Sequence, residues 1–124
     1  MTAQSAMAGL TSYQAGLGAE HAVERDYLRR GHVIAGRRWQ GSGGEIDLIA
    51  RDGDALVFIE VKKSRSFARA AERVSQRQMQ RIYASASEFL AGEPRGQDTD
   101  VRFDVALVNG TGQIEILENA FGLC

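Results

Sequence analysis

The chain contains one cysteine, and it is the last residue, Cys124. An intramolecular disulfide is therefore impossible, which fits a reducing compartment. Two histidines, His21 and His32, with one terminal thiol cannot build a zinc cluster of the usual ligand spacing. Neither sign of charge dominates. The formal net charge is −1, too small for a protein that coats nucleic acid by bulk attraction. No apolar run approaches the roughly 20 residues of a membrane-spanning helix, and the N-terminus lacks the basic start and apolar core of a signal peptide. A cytoplasmic location with no membrane partner is the expectation. Gly41-Ser-Gly-Gly44 lacks the spacing of either nucleotide-binding phosphate loop. No Ser–His–Asp or Cys–His grouping has local support, and Asn109-Gly-Thr111, a match to a glycosylation acceptor, has no consequence in the cytoplasm.

What is present is an ordinary globular composition. At 124 residues, 44% hydrophobic and 25% charged, the chain suits one domain with a single sizeable core. Its charge is unevenly spread: residues 60–81 carry seven basic and two acidic side chains, a local +5, against −1 before them and −5 after. A polyanion, if bound, is expected on that segment.

Residues 1–12 show no clear periodicity and read as a flexible tail, which leaves 13–124 as the domain. A helix is expected from about Tyr13 to Arg30, ending before Gly31. A short strand over His32 to Trp39 leads into a turn at the glycine-rich segment 41–44. Strands over 45–50 and 55–62 flank Asp52-Gly53, a good hairpin signal. One helix is expected over roughly Ala70 to Ala91, stopped by Gly92 and by Pro94, the only proline, with a polar loop over 92–100. Val101 to Val108 and Gln113 to Glu118 form a second hairpin around Asn109-Gly-Thr-Gly112. The order αβββαββ predicts a single α/β domain. Its first three strands form an antiparallel meander, and the crossover helix makes strands three and four parallel. The result is a mixed five-stranded sheet flanked by helices.

The two most strand-like segments carry charge. Asp47 lies in Glu45-Ile-Asp-Leu-Ile-Ala50, and Glu60 and Lys62 lie at the end of Ala55-Leu-Val-Phe-Ile-Glu-Val-Lys62. Burying such groups costs several kcal/mol unless they are paired or bind a metal. Strand alternation puts Glu60 and Lys62 on one side, and Asp47 can face it from the neighbouring strand if the register permits. Two close carboxylates repel unless a cation sits between them. Mg²⁺ (or Mn²⁺) fits, with hard oxygen ligands from Asp47, Glu60 and the Val61 carbonyl. Lys62 can then orient or deprotonate a water, or stabilise charge on a phosphate. That constellation suits phosphodiester hydrolysis; a buried acid–lysine ion pair is the plainer alternative. Glu20, between Val23 and Tyr27 on the apolar stripe of the first helix, either joins the cluster or sits at a solvent edge.

Arg69, Arg73, Arg77 and Arg81 repeat every four residues, a basic ridge on one helix that can track a phosphate backbone with Lys63 and Arg65. A solvated face is the ordinary meaning of such spacing. Gln78 falls among Val74, Ile82 and Ala86 on the apolar side, where it can reach the site, a DNA phosphate or a backbone amide. Weaker signals are Asp104, equally explained as a partner for Arg102; Glu45, an auxiliary ligand on the face of Asp47; and Arg37, Arg38 and Trp39, which can contact nucleic acid or form a surface strand.

Asp47, then Glu60-Val61-Lys62 after a gap of twelve residues, behind a Glu-bearing helix, resembles the PD-(D/E)XK nuclease core. More narrowly, residues 14–121 are similar to the UPF0102 or YraN-like family of small bacterial proteins. The matching stretches are Gly18-Ala-Glu20, Gly44-Glu-Ile-Asp-Leu-Ile49, Leu56-Val-Phe-Ile-Glu-Val-Lys62, Arg102-Phe-Asp-Val105 and Asn119-Ala-Phe121. The resemblance implies a restriction-endonuclease-like fold, close to that of Holliday-junction resolvases. It also implies metal ligation by Asp47 and Glu60, with Lys62 as the catalytic lysine and Glu20 as the helix carboxylate. Two departures stand out: Ile46 replaces the superfamily's proline, and Gln78 stands where the family usually has lysine, which keeps polarity and loses charge. The expectation is a Mg²⁺-dependent endonuclease acting on DNA, including branched substrates, as a homodimer if it cuts twice. The alternative is a nucleic-acid-binding accessory protein that keeps the fold without turnover.

Overall fold

A computed structural model describes residues 17–120. The expected tail over 1–12, the start of the first helix, and Phe121 and Cys124 lie outside the described residues. Helix α1 covers 17–29 in its described part. Its end is dictated by Gly31 at φ 91, where the His32 amide donates to the Tyr27 carbonyl and the Gly31 amide to that of Leu28. This double return folds the chain back over the last turn and ends the helix.

Five strands follow in chain order: β1 (Val33–Gly41), β2 (Gly44–Asp52), β3 (Ala55–Lys63), β4 (Val101–Val108) and β5 (Ile114–Leu117). Between β3 and β4 lie α2 (Phe67–Glu72), α3 (Gln76–Leu90) and a single 3₁₀ turn. The sheet order is β1-β2-β3-β4-β5. Pairing is antiparallel except between β3 and β4, which run parallel with Leu56 opposite Val101 and Glu60 opposite Val105. This is the expected mixed α/β sheet. No described helix is long and apolar enough to cross a membrane.

Both faces of the sheet are covered, which is why the central strands read as nearly unbroken apolar runs. One face packs Ile49, Phe58, Phe103 and Val105 against Ile82, Ala86 and Leu90 of α3. The other packs Leu48, Ala50, Ile59 and Ala106 against Ala19, Val23 and Tyr27 of α1.

One expectation is corrected. The segment 70–91 is not one helix but the end of α2, a break and α3. Ser66 and Ser75 each cap a helix start, their hydroxyls accepting from the amides of Arg69 and Gln78, both at 3.2 Å. A serine side chain that satisfies an otherwise orphaned amide starts a new helix more favourably than it continues an old one. The spacing Ser75-x-x-Gln78, a capping-box pattern, was the signal for this break.

Candidate functional site

Side chains of a regular strand alternate between faces, and β2 breaks that rule at Asp47. Ile46 joins the α3 core while Leu48, two residues on, joins the α1 core. The β2–β3 ladder also ends here, its last registered pair being Leu48 with Ile59. Asp47 supplies what the ladder no longer does: its Oδ2 accepts from the backbone amide of Val61 at 2.8 Å. The carboxylate therefore lies at the edge where the two strands part, and it borders clefts on both sides.

Glu60 is 6% exposed. Its Oε1 accepts from Gln78 Nε2 at 3.0 Å and faces Lys62 Nζ at 3.3 Å. Its Oε2 is buried with no hydrogen-bond partner. Burial first, then the neighbouring charge of Asp47, pushes the Glu60 carboxyl up to about 8, against the opposing pull of Lys62. Glu60 and Lys62 do share a face, as strand alternation requires.

On the α1 side, one oxygen each from Glu20, Glu45 and Asp47 lies within 4.8 Å of the others. Burial holds the Glu20 carboxyl above its ordinary value. The hydrogen bond from Arg38 opposes this, and the charges of Asp47 and Glu45 add to it. Arg38 Nε sits 3.0 Å from Glu20 Oε2 and 3.8 Å from Glu45 Oε1.

The glycine turn docks this edge against α3. A Cβ on Gly43 would overlap the Arg81 carbonyl, and one on Gly41 would press into Ser85. Ser85 Oγ donates to the Gly44 carbonyl at 2.8 Å, and the Ser42 amide to Glu88 Oε2 at 2.8 Å. Only glycine permits that approach, and it brings Gln78 and Arg81 beside Asp47 and Glu60. Two open clefts result. One, of about 270 Å³, is lined by Glu45, Asp47, Glu60, Gln78 and Arg81 among others. The second, of about 280 Å³, is lined by Glu20, Asp47, Glu60, Val61, Lys62, Lys63 and Arg73.

Residues 19–108, which contain all of these side chains, match the family described as Uncharacterised protein family UPF0102. The chain belongs to the UPF0102 family. A UPF0102 protein of Cereibacter sphaeroides is 64% identical over 115 residues, spanning 93% of this chain and 98% of the relative. One from Ruegeria pomeroyi is 62% identical over 114 residues, spanning 92% and 93%. One from a further Ruegeria strain is 48% identical over 122 residues, spanning 98% of both.

Not every charged residue singled out in this UPF0102 chain reaches the clefts. The helix break removes the single arginine ridge: Arg69 lies on α2, Arg73 is its C-cap, and Arg77 and Arg81 lie on α3. Arg73 turns back to donate to the Lys63 carbonyl at 2.7 Å. Arg65, Arg69 and Arg77 are exposed and line neither cleft. Asp104 is fully buried away from the site. It accepts from Tyr27 Oη at 2.7 Å, from Arg102 Nε at 2.9 Å and from the Asn119 amide at 2.9 Å. Those contacts tie α1, β4 and the C-terminal turn together, so the family stretch around 102–105 and Asn119 have a structural purpose here. Trp39 packs edge-on to Phe89 at 5.4 Å, so its ring belongs to the core rather than to a stacking surface. Arg37 is held by Glu24. The residue that sequence reasoning underrated is Arg38, whose turn toward Glu20 depends on a positive φ of 48 that no motif announced.

Proposed function

We propose that this protein is a metal-dependent endonuclease that hydrolyses DNA phosphodiester bonds, branched substrates included. The observation that carries the reading is the buried, unpartnered Oε2 of Glu60, on an acid that shares both clefts with Asp47. A buried carboxylate oxygen is seldom left without a partner, and a divalent cation is the partner this donor set suits. Hard oxygens from Asp47, Glu60 and the Val61 carbonyl match Mg²⁺ or Mn²⁺, and Glu20 borders the same cleft, where its charge tunes the site.

A bound ion would neutralise phosphate charge and lower the pKa of a coordinated water. The chain's own residues do the rest. Gln78 holds Oε1 of Glu60 and leaves Oε2 for the ion. Lys62, beside Glu60, orients a water or stabilises charge developing on the phosphate. Arg81 in one cleft, and Lys63 and Arg73 in the other, suit phosphates on either side of the scissile one. Arg65, Arg69 and Arg77 add a more distant positive field. The three-stranded antiparallel meander, helical crossover and parallel fourth strand resemble restriction-endonuclease-like folds and support the same reading. Cutting both strands of a symmetric junction would take two copies of the chain.

A second reading has its own observation. Lys62 and Gln78 already occupy one oxygen of Glu60, as they would in an accessory protein that binds nucleic acid without turnover. The test incubates the chain with linear, single-stranded and branched DNA in Mg²⁺ or Mn²⁺. Cleavage by wild type that is lost in Asp47→Ala, with an unchanged circular dichroism spectrum, is the expected result. Equal cleavage by the variant refutes the assignment. Salt-sensitive binding without cleavage under any metal establishes the accessory reading.

A further inference from the structure

Consecutive residues of a strand point to opposite faces, yet Arg37 and Arg38 of β1 both reach back to α1. Arg37 Nη2 donates to Glu24 at 3.0 Å and Arg38 Nε to Glu20 at 3.0 Å. The left-handed backbone of Arg38, at φ 48, makes this possible by turning the chain between the two. A side chain other than glycine keeps such a conformation only where its surroundings enforce it, and such outliers gather at functional sites. Arg38 stands across the ladder from Asp47, between the registered pairs Arg37–Leu48 and Trp39–Ile46. The twist in β1 therefore lies opposite the break of alternation in β2.

The consequence is electrostatic. Glu20, Glu45 and Asp47 bring three oxygens within 4.8 Å of one another, a crowding of like charge that a neighbouring cation relieves. Arg38 is that cation, 3.0 Å from Glu20 and 3.8 Å from Glu45. A guanidinium stays charged at every physiological pH, so the compensation is permanent. The buried free Oε2 of Glu60 belongs to the carboxylate whose other oxygen meets Lys62 and Gln78.

We propose that Arg38 serves as a built-in second cation. Its guanidinium takes the place beside Glu20, Glu45 and Asp47 that a second divalent ion would otherwise fill, and the site operates with one ion, held by Asp47 and Glu60. The proposal rests on the metal-site reading given above. Arg38 is a positioning residue: it acts through the carboxylates it neutralises.

The test is ion stoichiometry, which needs no DNA and no activity. Mn²⁺ is titrated into the full chain and followed by water-proton relaxation and calorimetry, for wild type, Arg38→Gln, Arg38→Gly and Arg38→Lys. Arg38→Gly removes the charge and suits the positive φ, so it keeps the test open if Arg38→Gln folds poorly. The expected result is one ion per chain for wild type and Arg38→Lys, and two for Arg38→Gln and Arg38→Gly. Two ions on wild type, or one on every folded variant, overturns the proposal while leaving the Asp47–Glu60 site intact. No ion on any of the four proteins refutes the metal site itself, and this proposal with it.

Discussion

Replacing Glu60 with glutamine in the metal-free protein should change how stability depends on pH. Glu60 is almost wholly buried, and its carboxyl is raised from 4.5 to about 8, first by burial and then by Asp47. In an unfolded chain the same carboxyl titrates at its ordinary value. Between those two values the folded state holds a proton that the unfolded state has released. The linkage slope is set by protons bound unfolded minus protons bound folded, and here it is negative. Wild-type stability should therefore fall as pH rises through this window, by at most about 1.4 kcal/mol per pH unit for one proton. Below the window both states are protonated and the acid contributes no slope; above it the loss is complete. Glu60→Gln has no such proton to lose. Its stability relative to wild type should thus improve steadily from pH 5 to pH 8, on top of a constant offset from the altered contact with Gln78. Urea unfolding at four pH values in the presence of a chelator measures this directly. A wild-type-minus-variant difference that stays flat, or moves the other way, would refute the claim that burial and Asp47 keep Glu60 protonated. Added Mg²⁺ should restore wild type most at high pH, because an ion that binds only the folded state stabilises it by mass action.

Three further outcomes follow from contacts in the same framework. Gly43→Ala places a Cβ against the Arg81 carbonyl; the shift it forces should cost ~1–3 kcal/mol in urea unfolding and weaken Mn²⁺ binding, because the hairpin carries Glu45 and Asp47. Tyr27→Phe removes a donor from the buried Asp104 carboxylate, and thermal or urea unfolding should register a loss of about 1.5–3 kcal/mol without changing ion stoichiometry. Arg81→Ala and Arg73→Ala, one in each cleft, should each lower the slope of log DNA affinity against log salt by about 1, whereas Arg69→Ala, outside both clefts, should lower it by less.

Part of this was legible in one dimension. Strand identity followed from apolar runs long enough to be buried on both faces, and the hairpin between β2 and β3 from Asp52-Gly53. The common face of Glu60 and Lys62 needed only the two-residue period of a strand. The end of α1 was written in Gly31, and the break between α2 and α3 in Ser75-x-x-Gln78, a capping signal that the expectation of one helix over 70–91 left unread. These are local matters, decided by backbone sterics and by amides that need partners within a few residues.

What only the tertiary structure decided concerns groups whose partners lie far along the chain. Asp47 points along the sheet edge because β2 loses its ladder to β3 there and the carboxylate takes the Val61 amide. Gln78 reaches Glu60, rather than closing its own capping box, while Gly41 and Gly43 let the β1–β2 turn settle onto α3. Trp39 serves the core because Phe89 meets it, and Asp104 serves the frame because Tyr27 and Arg102 converge on it. Arg38 joins the acids through a positive φ across the ladder from Asp47. No periodicity carries such information, since each of these orientations is chosen by long-range pairing and by the cost of leaving a buried charge alone.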